Sequence, residues 1–359
     1  MKYFALLVAS LALAASASAN DKLFISGFGS IIGSQVVDGS GYVADYPNIG
    51  VYDDQFDIGQ ESKLGIQTRA TISDNLSATL QVMSRANNEY EAEVEWLFVN
   101  YALDDDLELQ AGKLRVPVYY FSEFMDVGYA YPWIRVPADA YSLDVTSFNG
   151  LQLNHRTYMG GFNFATTLYA GRNSPRQPED SEIMSFIFGG NVKRSFTGLI
   201  GVGFEVSTDD TIAKVTYSQA DMEQTRSNSF NAADDGTTTT DISFIDVYLQ
   251  QNFGSFSVML EYNDYDPFYA SYFVSGTYQM DRTTFYVMHS QFTLDSEIGG
   301  VPIEEHDTNS LGLRYDYQPR VAFKFDVSMI TDTGVFAVNK DADNDGDAVI
   351  LSTGVDFTF

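Results

Sequence analysis

The sequence predicts an all-β protein, a membrane-spanning antiparallel β-barrel of sixteen strands. Three observations predict it. Stretches of about ten residues recur in which apolar and polar side chains alternate with period two, as strands with one lipid face and one water face require. Phenylalanine and tyrosine gather at the ends of the apolar faces, where two membrane interfaces would lie. Beyond Asn20 no apolar run approaches the length of a spanning helix.

Residues 1–19 read as a secretory signal peptide, with Lys2 as its positive region, Phe4 to Ala15 as its apolar core and Ala17-Ser18-Ala19 as its cleavage motif. That core is short for a membrane anchor, and Asn20-Asp21 follows it directly. Residues 20–359 are then one barrel domain. The first strand carries Gly27-Phe28-Gly29-Ser30, which is no phosphate loop because no helix follows, and runs into a long join, 34–61. In Lys63 to Ile72, Leu64, Ile66, Ala70 and Ile72 alternate with Lys63, Gln67, Arg69 and Thr71, up to a tight turn at Ser73-Asp74-Asn75. Further long or polar joins at 87–91, 116–147, 172–197, 222–239, 265–269, 293–308 and 332–347 alternate with tight turns at 104–106, 158–161, 208–210, 252–255, 279–282 and 318–320. The stretch 183–196 looks strand-like and is either an ordered part of the fourth loop or an early start to strand 8. Near the end, Leu311, Leu313, Tyr315 and Tyr317 alternate with Gly312, Arg314 and Asp316, and Val321, Phe323, Phe325 and Val327 with Lys324 and Asp326. Seven turns and eight loops connect sixteen strands, the even number that closure of an antiparallel barrel demands.

Composition excludes other classes. A formal charge of −29 repels nucleic-acid phosphates, and the absence of cysteine removes thiolate metal sites, disulfides, cysteine nucleophiles and lipid attachment. No G-x-S-x-G motif accompanies the three histidines, so neither an enzyme nor a required cofactor is expected.

With the apolar set facing lipid, Lys63, Arg69, Arg85, Arg156, Lys214 and Arg314 point inward, together with Glu205, Asp246, Glu261, Asp316 and Asp356. Lys113 and Arg115 share the register of Leu107, Leu109 and Ala111, which should face lipid. A bulge after Ala111, eased by Gly112, is expected to turn both cations inward; the alternative is a strand that has already left the bilayer. One further motif, Asp341-Ala342-Asp343-Asn344-Asp345-Gly346-Asp347, matches half of a calcium loop, with Asp341, Asp343, Asp345 and Asp347 as ligands, but Ser352 stands where a bidentate glutamate belongs. The two readings are a weak extracellular Ca2+ site and a plain acidic loop.

In its architecture the chain from Asn20 onward resembles the trimeric general porins of Gram-negative outer membranes. Gly354-Val355-Asp356-Phe357-Thr358-Phe359 is similar to the terminal signal read by the barrel-assembly machinery, and Leu109-Gln110-Ala111-Gly112-Lys113 to the fifth-strand motif that places a basic residue in the pore wall. Asn149 to Arg156 resembles the strand that returns after the third loop. The resemblance implies that the loop 116–147 folds into the lumen, although Tyr119 to Asp126 replaces the acidic motif of enteric members. It also implies a homotrimer among outer-membrane lipid and lipopolysaccharide, passing small hydrophilic solutes and ions by passive diffusion. A substrate-specific channel is the first alternative and a structural or adhesive barrel with a plugged lumen the second. An inward loop would bring Glu123, Asp126, Asp139 and Asp144, against Arg135 alone, opposite a basic stripe. The expected constriction comprises Arg69, Arg85, Lys113, Arg115, Arg156, Glu123 and Asp126, with a transverse field between them; the bland alternative is a set of ordinary solvated charges.

Overall fold

A sheet can satisfy all its backbone groups in an apolar medium only by closing on itself. The computed structural model, which describes residues 22–39, 41–43, 51–143, 145–173, 190–298, 301–334 and 347–359, has that form. Its strands are β1 (Leu23–Asp38), β2 (Lys63–Ser73), β3 (Leu76–Arg85), β4 (Ala92–Ala102), β5 (Leu107–Arg115), β6 (Ser147–Met159), β7 (Phe162–Asn173) and β8 (Asn191–Ser207). The second half comprises β9 (Thr211–Ser227), β10 (Gly236–Phe253), β11 (Phe256–Asp266), β12 (Tyr269–Met280), β13 (Thr283–Leu294), β14 (Glu305–Gln318), β15 (Val321–Asp332) and β16 (Ala348–Thr358). Each strand pairs antiparallel with its chain neighbours, and β16 closes on β1 from Thr358 opposite Phe28 to Ile350 opposite Val36. Sixteen strands in a single closed sheet agree with the sequence expectation.

The limits of the strands differ from expectation at the long-loop end. β8, β9 and β10 have 17, 17 and 18 residues, so both ends of the expected loop 172–197 and more than half of 222–239 are strand. β9 and β10 stay in register from Thr211 opposite Gln251 to Arg226 opposite Gly236. Their outer rungs pair Thr237 to Thr239 with Glu223 to Thr225, polar residues whose ladder no apolar alternation announces. Residues from Asn191 onward belong to β8, whereas 183–189 lie outside the described residues. The signal-peptide residues 1–19 lie outside them too.

Outward side chains such as Leu97, Leu151, Ile200, Leu249, Val287 and Leu311 are exposed around the belt. Phe162, Phe253, Phe256, Tyr278 and Tyr317 gather at the short-turn rim. The inner face departs from the polar lumen expected. Met222, Phe244, Tyr248, Met259, Tyr265, Phe273, Tyr286, Met288 and Phe292 of β9 to β13 point inward and are buried. They pack against Val118, Tyr119, Phe121, Met125, Tyr131, Trp133 and Tyr141 of the loop 116–146, so the apolar core lies inside the barrel. An apolar wall is compatible with a water-filled barrel where another segment displaces the water, and here the third loop does so.

Candidate functional site

The loop is rich in Tyr, Phe, Val and Pro, and its ordered turns include one short helical turn, Gly128–Ala130. Its polar anchors are spread around the wall. Asp126 stands at the centre of one group, 3.1 Å from Arg85 of β3, 3.2 Å from Arg115 at the end of β5 and 3.7 Å from Lys63 of β2. Glu95 of β4 completes it, 2.5 Å from Arg115 and 3.4 Å from Arg85. Burial alone would raise the Asp126 carboxyl, but Arg85, Arg115 and Lys63 hold it well below the usual carboxylate range.

Arg135 forms a fork with Glu61, Nε to Oε1 at 2.7 Å and Nη2 to Oε2 at 2.6 Å, and reaches Ser352 of β16 at 3.1 Å. Glu61 lies in the connection between β1 and β2; burial raises its carboxyl, and Arg135 and the Tyr52 hydroxyl more than offset that. Asp139 accepts from Ser290 Oγ at 2.6 Å and sits 2.9 Å from His306 Nδ1. Its carboxyl too, raised by burial, is lowered on balance by His306 and by the hydrogen bond from Ser290. Lys324, fully buried, donates to the carbonyls of Gly128 and Trp133 and pairs with Asp356 at 2.8 Å. Arg314 donates to Tyr129 O and Tyr131 O. Glu261 of β11 accepts from the Tyr120 N–H at 2.7 Å and the Tyr141 hydroxyl at 2.5 Å, and Lys214 of β9 donates to Tyr119 O.

Inward parity places Lys63, Arg69, Arg85, Arg156, Lys214 and Arg314 on the lumen face, as expected. The proposed constriction does not come together as a unit. Arg85, Arg115 and Asp126 form one ion-paired cluster, so in place of a field across open water the acid sits directly on the cations. Arg69 is exposed in the short-turn half of β2, and Arg156 and Glu123 line a separate cavity.

Lys113 is a correction. The register of β5 runs unbroken from Leu107 to Arg115 against β6, Lys113 pairs with outward Leu97, and its ammonium caps Val94 O at 2.6 Å. No bulge turns it inward. Arg115, in the same register, bends inward because the strand ends there and Glu95 and Asp126 supply its counter-charges. A bulge does exist one strand away: Gln81 pairs with Trp96 and Val82 with Val94, which leaves Glu95 unpaired and turned to the cluster. Asp341, Asp343 and Asp345 lie outside the described residues, and Asp347 accepts the Asp332 N–H at 3.2 Å. Asp144 also lies outside them.

Beside β6 to β9, in the short-turn half, loop and wall part. A cavity of about 560 Å³ remains, lined by Tyr120, Glu123 and Phe124 of the loop and by Asn154, Arg156, Thr167, Glu205 and Lys214 of the wall. Sequence parity identified its wall charges, but the cavity itself depends on which side of the lumen the loop leaves free.

No protein-family model matches the sequence, and neither does any curated protein. Solved structures do. The chain is similar to OmpF of Salmonella typhi (13% identity, TM-score 0.61, 94% of this chain and 97% of that one). It is similar also to an anion-selective porin from Comamonas acidovorans (13%, 0.59, 94% and 100%). A third likeness is to the outer-membrane channel DcaP of Acinetobacter baumannii (8%, 0.59, 95% and 99%). At such identities the likeness speaks for architecture, and the chain has the porin-like fold of an outer-membrane β-barrel, closed by sixteen antiparallel strands.

Proposed function

We propose that the protein is a channel of a Gram-negative outer membrane that passes small hydrophilic solutes passively along one side of its lumen, between the third loop and β6 to β9. The observation that carries this reading is the cavity of about 560 Å³, whose charged and polar wall contrasts with the aromatic packing that fills the opposite side. The apolar belt and aromatic rim support insertion in a bilayer, and the short-turn end would face the periplasm. Export through the signal peptide, assembly through the terminal Phe359 strand and contact with lipopolysaccharide belong to the same proposal. So does a homotrimer, a form that the structural neighbour OmpT of Vibrio cholerae adopts; native mass measurement in mild detergent tests it.

The plugged structural barrel is a second reading, favoured by loop anchors on β1 to β3, β5, β9 and β11 to β16. Planar-bilayer recording separates the two. The channel reading expects discrete open steps, small for a barrel of this circumference because only one side conducts. Electrical silence from folded, inserted protein would favour the plug.

A further inference from the structure

A charge taken out of water costs several kcal/mol unless it is paired, and most inward-facing charges of this barrel are paired. Lys63, Arg85 and Arg115 meet Asp126, Arg135 meets Glu61, Arg314 meets Asp316, and Lys324 meets Asp356. The cavity beside β6 to β9 differs, because its charges stay in lumen water: Arg156 and Glu123 are exposed and Glu205 is half-buried. Among the described residues, Arg156, Glu205 and Glu123 make no ion pair and no side-chain hydrogen bond, yet all three line it. Lys214 lines it as well, its ammonium held 2.9 Å from Tyr119 O.

Strand register sets the spacing. Arg156 stands opposite Ala165, Ala165 opposite Glu205 and Glu205 opposite Lys214, so one row across four strands reads cation, methyl, acid, cation. Two strand spacings, roughly 10 Å, separate the backbones of Arg156 and Glu205, and the small Ala165 keeps the space between them open. From the loop, Glu123 faces this row, and the Tyr120 ring lies beside it, stacked on Tyr248 at 3.7 Å. Asp106 stands at the rim.

The signs decide the ligand class. In a chain of net charge −29, the cavity sets two cations, Arg156 and Lys214, beside three carboxylates, Glu205, Glu123 and, at the rim, Asp106, so both signs stand in one wall. A site for anions would be basic on balance, a site for cations would not set Arg156 and Lys214 in its wall, and a neutral polyol needs hydrogen-bond partners but no separation of charge. We propose that the cavity binds a small zwitterion of the amino-acid class, its carboxylate on Arg156 and its ammonium between Glu205 and Glu123. The inference deepens the channel reading and rests on it for the solute's route; the binding itself stands on the cavity.

The test is equilibrium dialysis of labelled L-serine against the folded full-length barrel in detergent, with propionate and ethanolamine as single-charge probes. Serine is expected to bind saturably and each single-charge probe roughly tenfold more weakly, the loss expected when one charge-assisted contact is missing. Arg156→Gln and Glu205→Gln, both at a water-filled wall, should each weaken serine binding by a similar factor, while Arg156→Lys restores part of it. Heat-modifiable migration confirms that each variant is folded. No saturable binding, equal affinity in the variants, or equal binding of propionate or ethanolamine would overturn the inference. Bilayer recording keeps the two readings apart: open steps without serine binding overturn this site alone, and serine binding by a silent barrel overturns the channel alone.

Discussion

Asp126, Asp139 and Glu61 all hold the third loop, and all three carboxyls are depressed by cationic partners that outweigh their burial. A carboxyl with a lowered folded pKa contributes stability above its unfolded value, about 4, and loses the contribution as pH falls through the folded value. The loop should therefore stay docked from neutral pH to about pH 4 and release only below that. Trp133, buried in the loop core with its indole N–H on Ser275 Oγ, reports docking by its fluorescence in a Trp96→Phe background. Emission should hold steady down to about pH 4 and shift red below it; a red shift complete by pH 5 would contradict the assignment of these anchors. Asp126→Asn removes the counter-charge shared by Arg85, Arg115 and Lys63, a change that costs about 3 to 5 kcal/mol where a buried pair is broken. Because the cost falls on the loop, protease should cut within 116–146 at neutral pH while the barrel keeps its heat-modifiable migration.

The loop as an element is a packed unit. Phe121 makes edge contacts with Tyr120, Phe124, Trp133 and Tyr248 and is buried at their centre. Phe121→Ala should cost about 3 to 5 kcal/mol of loop docking and leave the strand ladders intact, so single-channel conductance should rise and become noisy. Unchanged current would mean that this packing does not bound the open path. The length and place of the loop were legible in the sequence, but the wall it docks on was not. On β10 and β12 inward Phe244, Tyr248 and Phe273 stand next to outward Ile245, Leu249 and Val274. Both faces are apolar, so alternation cannot say which face meets lipid and which meets protein. Lys113 and Arg115 show a second limit. Parity assigns them one side, but the side chain at a strand end is free to follow its counter-charge, and Glu95 was hidden by a bulge in the neighbouring strand.

On the scale of the whole molecule, strand number and order were legible because Asp, Asn, Gly or Pro marks nearly every tight turn and each strand pairs only with its chain neighbours. A chain of this kind has one non-local pairing, β1 with β16, and it must wait for everything between. Its last rung is Phe359, whose N–H and carbonyl bond to Gly27 at 2.8 and 2.9 Å. The Phe359 ring lies over Gly27, where a Cβ would overlap it, so glycine on β1 and phenylalanine at the terminus are one contact on the outer face of the seam. Phe359→Ala keeps the backbone bonds and removes only the ring; Gly27→Val keeps the ring and displaces it. Each should lower the yield of folded barrel from refolding in detergent or lipid. If the ring on the glycine is the closing contact, the double variant should fold no worse than the poorer single one, because two changes to one interaction do not add. Full additivity would place the effects of Gly27 and Phe359 in separate steps, and a normal yield from Phe359→Ala would remove the ring from closure altogether.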